Sequence, residues 1–408
     1  MNLHKYVWSL SLIALWGSTS SFINLGVSCD SNDPSCCQNK PKMMEEQPAV
    51  QPTTAITEMT SSNQMPSKMR STKKSQECAY GGFILFADAL YWIANQPSLS
   101  FAAITSDDSD FNTGGNIQNP SFNWEWGFRL GAGFNIPHGN WDSFVSYTWF
   151  QDNAEGSVSG KEGQTILPSL ISAASNIRLN PITNIFEIER PRVSKASSKW
   201  NLFLNIVDWE LGKTFIPSRY FSFRPYAGAK AVWIEQENNV RYDGYKTRSR
   251  EGSYHTTLKD NYWGVGPRAG FNSQFWLGKG FSIYGNTGIS LVLGEFNLST
   301  KEKIERSQDS KNLVNISSNY YAGRAITDLQ LGFRWDSNVC KTKKAVLCKC
   351  PSEAKKTNFS IALGWEQHMF FSQGQFIRAV DPTNQANFIL NSSSLSVQGA
   401  TGSLRFDF

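Results

Sequence analysis

The sequence predicts an all-β chain: a transmembrane antiparallel β-barrel of about 10 strands, with roughly 8 to 12 compatible with the pattern. A disordered N-terminal segment precedes it. Three observations carry this. Apolar residues alternate along several segments so that they share one face, long and short connections alternate, and the last strand ends on an aromatic, Phe408.

Composition agrees. Mean hydropathy is low, −0.37, and after the N-terminus no run is apolar for the roughly 20 residues a transmembrane helix requires. A barrel strand shows lipid only every second side chain, so moderate hydropathy is what it should have. Aromatics make up 13% of the 408 residues and include 14 Trp, which suits interfacial girdles better than the core of a soluble β-sandwich. The formal charge of +5 is dispersed, forms no basic stripe and gives no reason to expect a nucleic-acid partner.

The N-terminus reads as a secretory signal over residues 1–20. His4 and Lys5 start it, Tyr6 to Trp16 form a short apolar core, and Ser18 and Ser20 supply small residues before cleavage. A lipoprotein signal ending at Cys29 is the weaker alternative, because Gly26 occupies its −3 position. Residues 21–79 form a flexible periplasmic segment: the stretch contains Pro34, Pro41, Pro48, Pro52 and Pro66 and no apolar periodicity, so it cannot bury enough surface to offset ordering entropy.

The barrel occupies 80–408. The clearest strand is 122–135, where Phe122, Trp124, Trp126, Phe128, Leu130, Ala132 and Phe134 alternate with Asn123, Glu125, Gly127, Arg129, Gly131, Gly133 and Asn135. A helix would spread those aromatics around its circumference, whereas a strand puts them all on one face. Segment 325–336 sets Leu329, Leu331, Phe333 and Trp335 against Asp328, Gln330, Arg334 and Asp336, and 358–368 sets Phe359, Ile361, Leu363 and Trp365 against Ser360, Gly364, Glu366 and His368. Further strands fall near 80–95, 140–150, 199–215, 219–236, 259–275, 280–296 and 395–408. Segment 199–215 is ambiguous: Leu202, Leu204 and Ile206 favour one face and Val207, Trp209 and Leu211 the other, which a bulge would reconcile.

Short links at 136–139, 216–218 and 276–279 alternate with long ones at 96–121, 151–198, 237–258, 297–324 and 372–394, as periplasmic turns alternate with extracellular loops. One link, 337–357, is long where a turn is due; it is rich in Lys and carries Cys340, Cys348 and Cys350. Strand order puts it on the periplasmic side with Cys29, Cys36, Cys37 and Cys78. In an exported chain all seven are disulfide candidates. Cys348 and Cys350 lack the spacing and the nearby His of a zinc site, so no metal or other cofactor is expected. At the C-terminus Leu404, Phe406 and Phe408 share a face, the pattern that outer-membrane assembly machinery reads.

Several motifs carry a resemblance to a family: Phe86 to Trp92, Trp126 to Asp142, Arg224-Pro225-Tyr226-Ala227-Gly228 and the Gly-rich run from Trp263 to Gly294. Over about 80–408 the chain resembles the Legionella-type major outer membrane protein family, which also occurs in chlamydia-like bacteria. The resemblance implies a porin-like outer-membrane barrel, links to host-cell attachment and disulfide-linked envelopes, and no catalytic residues.

No enzyme motif survives inspection. Gly131-Ala132-Gly133 and Gly264-Val265-Gly266 lie within strands rather than in phosphate-binding turns. A rim Asp/His pairing would have to come from Asp107, Asp108, Asp110 and His255, and His138 falls in a turn. Glu125, Arg129, Arg224, Lys230, Arg268, Asp328, Arg334, Glu366 and His368 are expected to face the interior and line a pore, where opposed charges set selectivity. The expected function is passive diffusion of small polar solutes with mild anion preference, and periplasmic cysteines for envelope cross-linking. The alternative is a surface adhesin or structural envelope barrel without an open pore. Expected partners are membrane lipid, the barrel-assembly machinery, disulfide-linked envelope proteins, a homo-oligomer and host-surface ligands. The loop 151–198 contains an apolar stretch, Ile166 to Ile171, suited either to folding into the lumen as a constriction or to packing outside as a binding surface.

Overall fold

A computed structural model describes residues 82–106, 115–136, 139–161, 163–172, 177–179, 186–188, 192–246, 251–306, 309–337, 358–379 and 388–408. The signal over 1–20, the segment 21–79, all seven cysteines, Asp107, Asp108, Asp110 and His138 lie outside the described residues.

Ten long strands form the wall: β1 (Gly82–Asn95), β2 (Glu125–Ile136), β3 (Trp141–Ser159), β4 (Lys195–Lys213), β5 (Phe221–Lys246), β6 (Glu251–Gly278), β7 (Phe281–Glu305), β8 (Ser310–Asp336), β9 (Asn358–Ala379) and β10 (Phe388–Asp407). Each pairs antiparallel with its neighbours in sequence, and β1 pairs with both β2 and β10, which closes the ring. Phe86 thus sits between Gly131 on one side and Arg405 on the other. Turns and loops segregate to opposite ends, as the alternation of link lengths predicts. Positive φ at Gly278, Lys279 and Gly280 makes the tight β6–β7 turn, and Gly139 and Asn140 do the same between β2 and β3.

The strands run much further than the hydropathy pattern suggests. Links expected at 237–258, 297–324 and 372–394 are largely strand: β5 continues to Lys246, β7 to Glu305, and β9 to Ala379. At roughly 3.3 Å per residue and a tilt of about 40°, the 28 residues of β6 rise on the order of 70 Å. An outer-membrane apolar band is only about 25 Å tall, so much of the wall stands outside it.

The faces exchange chemistry at the border. On β6 the outward residues Trp263, Val265, Phe271, Phe275 and Leu277 are exposed and apolar toward the turn end. Beyond Trp263 the same face continues as Asn261, Lys259, Thr257 and His255, while Tyr262, Leu258 and Tyr254 on the other face are buried. β5 switches at Trp233 and Glu235, and β7 at Leu293 and Glu295. Trp233 and Trp263 face each other at this border, and Glu295 accepts hydrogen bonds from Trp263 Nε1 (3.4 Å) and Tyr321 (3.5 Å). The turn-end half is therefore apolar outside and charged inside, and the loop-end half is polar outside and apolar inside, like a water-soluble barrel. The period-2 pattern persists through the switch with its sign reversed.

This also resolves 199–215. β4 runs without a register shift against β3 and β5, so no bulge is needed. Trp200, Leu202, Leu204 and Ile206 face inward, and the same face continues into Asp208 and Glu210, while Trp209 is exposed outside.

Candidate functional site in the barrel interior

Inward residues of the turn-end half line a cavity of about 790 Å³ that reaches the turns through Thr214, Arg219, Trp276 and Gly280. Its walls carry a network of ion pairs. Arg129 on β2 donates from Nη1 to Asp88 (3.1 Å) and Glu366 (2.9 Å), from Nη2 to Glu366 (3.2 Å) and from Nε to Thr148 (3.0 Å). Its guanidinium lies 5.7 Å from the centre of the Trp92 ring. Glu366 also accepts from Thr401 (2.8 Å), which in turn accepts from Trp92 Nε1 (3.2 Å).

Beside this cluster, joined to it through His368, a second cluster centres on Asp328. Lys230 reaches it at 3.3 Å and Asp208 at 3.0 Å. His368 Nδ1 lies 2.7 Å from Asp328, and Arg268 pairs with the same carboxylate and with Glu210 (3.3 Å). Nearer the turns Arg224 donates to Asp142 (2.7 Å) and Glu210 (3.0 Å), and Arg334 to Asp336 (2.9 Å) and Ser360 (2.8 Å). Most of these side chains are nearly inaccessible: Lys230 is 1% exposed. Pairing lowers the large cost of removing such charges from water.

Seven of the nine expected interior residues belong to these clusters: Arg129, Arg224, Lys230, Arg268, Asp328, Glu366 and His368. Arg334 forms its own smaller one with Asp336 and Ser360. Glu125, at the loop-end start of β2, stands outside them and accepts from Asn153 Nδ2 (3.3 Å). The counter-ions Asp88, Asp142, Asp208 and Glu210 escape a reading that seeks charges opposite the tidiest apolar faces. Asp208 and Glu210 sit on the ambiguous strand, and Asp88 inside the Phe86–Trp92 motif. The glycines have a steric role: a Cβ on Gly131 would collide with the Phe86 ring, and one on Gly133 with the Phe144 ring.

Beyond the charge network the interior becomes a continuous apolar core that includes Trp92, Phe150, Trp200, Leu204, Val232, Ile234, Tyr242, Tyr254, Phe296, Phe370 and Leu395. Burying each large side chain contributes roughly 1.5–3 kcal/mol. The apolar stretch of the 151–198 loop folds inward. Ile166, Leu170 and Ile171 are buried in this core, Leu170 N donates to Tyr242 (3.2 Å), Thr256 donates to Leu170 O (3.0 Å), and Ser172 N donates to Glu302 (3.1 Å). Residues Thr165–Pro168 add a strand to Ala102–Thr105, which also pairs with Asn116–Gln118. Strands three apart in the ring also meet directly: Gln375 N on β9 donates to Asp260 on β6 (2.7 Å), and Gln236 on the adjoining β5 donates to the same carboxylate (3.4 Å).

Three carboxylates of this outer half lie in surroundings that disfavour charge. Burial pushes Asp152 up to about 7, against the hydrogen bonds it accepts from the backbone of Ala94 and Asn153. Burial likewise raises Asp260 well above the usual carboxylate range and raises Glu302. His255, the rim histidine, lies 3.3 Å from Glu305 on the outer surface.

No curated protein matches the chain in sequence. Among solved structures, the outer membrane protease OmpT from Escherichia coli aligns at 8% identity and TM-score 0.35, covering 80% of this chain and 97% of that one. A Pseudomonas aeruginosa FadL homologue aligns at 6% identity and TM-score 0.22, covering 80% and 90%, and the Pseudomonas putida toluene transporter TodX at 5% and 0.18, covering 80% and 89%. Likenesses this distant say nothing about activity. The family described as Legionella pneumophila major outer membrane protein precursor matches residues 76–408, a span that contains the whole ten-stranded ring with its outward apolar band and its aromatic C-terminus. The chain belongs to the Legionella major outer membrane protein family and is an outer-membrane β-barrel.

Proposed function

We propose that this barrel is closed at rest and serves as a structural or adhesive surface barrel rather than as a standing diffusion pore. The observation that carries the reading is the filled outer half of the lumen, where β6 and β9, three strands apart in the ring, hydrogen-bond inside the barrel through Asp260 and Gln375. Packed aromatic and aliphatic side chains surround that contact. A solute entering the turn-end cavity would meet this core, and displacing even one fully buried large side chain costs about 1.5–3 kcal/mol.

Passive diffusion of small polar solutes would require the core and the folded-in 151–198 loop to move aside. A mild anion preference would also require a basic surplus in the cavity. Seven carboxylates line it (Asp88, Asp142, Asp208, Glu210, Asp328, Asp336 and Glu366), against six guanidiniums (Arg129, Arg219, Arg224, Arg268, Arg334 and Arg405) and the adjoining Lys230. Acid and base balance, so little net field is left to select anions.

In this reading the polar-surfaced outer half presents the loops to partners outside the cell. Phe408 directs assembly, and the cysteines, exported and on the periplasmic side by strand order, cross-link the envelope. Liposome swelling tests the closed state. Vesicles carrying the folded protein should swell no faster in arabinose or glycine than protein-free vesicles, and swelling at a porin's rate would overturn the proposal.

A further inference from the structure

Among the described residues the wall is incomplete at one seam. β8 and β9 pair from Ile326 and Phe370 down to Asp336 and Ser360, and no further. From Ser310 to Ala325, β8 has a ladder partner only in β7 among the described residues; at the lower end of this stretch Tyr262 donates to Ala322 O (3.5 Å) and Arg324 to Gly323 O (3.0 Å). Where β9 leaves β8, its pairing with β10 is bulged between Phe370 and Gly374; there Ser372 has φ 52° and the buried Gln373 has neither amide atom partnered among the described residues. Between the parted strands lies a slot of about 680 Å³. Ile316 and Tyr320, with the polar Asn315, Ser317 and Ser318, line its β8 lip, and Ile377 of β9 with Phe388 and Leu390 of β10 line the apolar other. Phe388, Ile389 and Leu390 are 52%, 49% and 47% exposed, three consecutive apolar residues left in water.

We propose that this seam binds an extended polypeptide, which adds as a strand to the free edge of β8 and sets its alternate apolar side chains into the slot. In an antiparallel ladder every second residue of an edge strand directs both its N–H and its C=O away from the existing partner. Such a row is a template for another strand. An acyl chain fits the apolar lining but leaves that row unpaired, which is costly away from water. The outward neighbours Asn315, Ser317 and Asn319 also place this stretch above the lipid band, whose border on β8 is Tyr321. A peptide satisfies both surfaces at once. The inference does not depend on the closed barrel: a conducting barrel could bind the strand, and a silent one could fail to.

The test uses the full chain refolded in detergent micelles and a fluorescein-labelled ten-residue peptide alternating Thr and Val, with Lys at each end. Fluorescence anisotropy should show saturable one-to-one binding, at least tenfold weaker for the same peptide with alternate amides N-methylated. Ile316→Asp and Leu390→Asp should each weaken binding at least tenfold while the protein keeps its heat-modifiable mobility on electrophoresis. Hydrogen exchange gives a readout independent of variants: alternate amides from Asn312 to Ala325 should exchange fast in the protein alone and slow when peptide is added. Equal binding of the N-methylated peptide, or no saturable binding, would overturn the proposal. So would amides already protected in the protein alone, either by its own chain or by a second copy in a dimer.

Discussion

Replacing Arg129 with Met tests whether the interior ion pairs hold the barrel together. The guanidinium makes four hydrogen bonds, three of them to Asp88 and Glu366, whose side chains are each only 6% exposed. Met fills much of the same volume but leaves two buried carboxylates facing each other. Removing one partner of a buried pair costs about 3–5 kcal/mol, whereas replacing the whole group with neutral residues is often close to neutral. With a urea dependence of about 2 kcal/mol per M, the midpoint of unfolding should fall by roughly 1.5–2.5 M. Adding Asp88→Asn and Glu366→Gln to Arg129→Met should recover most of that loss. Tryptophan fluorescence of the protein in lipid vesicles, followed across a urea series, reads both effects. A loss below about 1 kcal/mol for Arg129→Met, or a triple variant less stable than the single one, would refute the reasoning.

Stability should fall as pH rises through the range in which Asp152 loses its proton. Its folded pKa, about 7, lies above the unfolded value of roughly 3.9, so the native state holds the proton more tightly. The contribution is complete below about pH 4 and is lost as pH climbs toward 7. Asp260 and Glu302 shift in the same direction. Urea midpoints between pH 4 and 8 should show this slope, and Asp152→Asn should flatten part of it. Gly131→Val should destabilise by about 1–3 kcal/mol through overpacking against Phe86, and Phe86→Leu should relieve it; the same urea titration reads both. Deleting Phe408 should leave export intact but reduce the amount found in the outer membrane, as cell fractionation would report. Electrophoresis without reductant should show species that collapse on reduction if the seven cysteines cross-link.

The membrane-level half of the fold was legible because lipid imposes a simple rule on it. Trp126, Phe128 and Leu130, or Leu329, Leu331 and Phe333, repeat every second residue with nothing else to satisfy, and they fix strand and face together. The outer half was not legible because the rule reverses there. In β5, Ile234, Val240 and Tyr242 continue the strand on the opposite parity, behind Glu235, Glu237 and Arg241, so a pattern seeking outward apolar residues stops at Trp233. Segment 199–215 looked broken for the same reason: its inward face passes from Leu202 and Ile206 to Asp208 and Glu210. Lumen charges such as Arg129 and Glu366 could be placed by parity alone. Which of them meet across the barrel could not, since that depends on the order and stagger of all ten strands. The apolar run Ile166 to Ile171 was visible, but its place inside the lumen depends on a cavity built by strands distant in sequence.

The closed outer core is the central claim, and single-channel recording in a planar bilayer tests it most directly. The folded wild-type protein should give no steady ohmic conductance in 1 M KCl, whatever the sign of a moderate applied voltage. Reproducible open steps with a linear current–voltage relation would mean that the packed interior yields a standing pore, and would contradict the account.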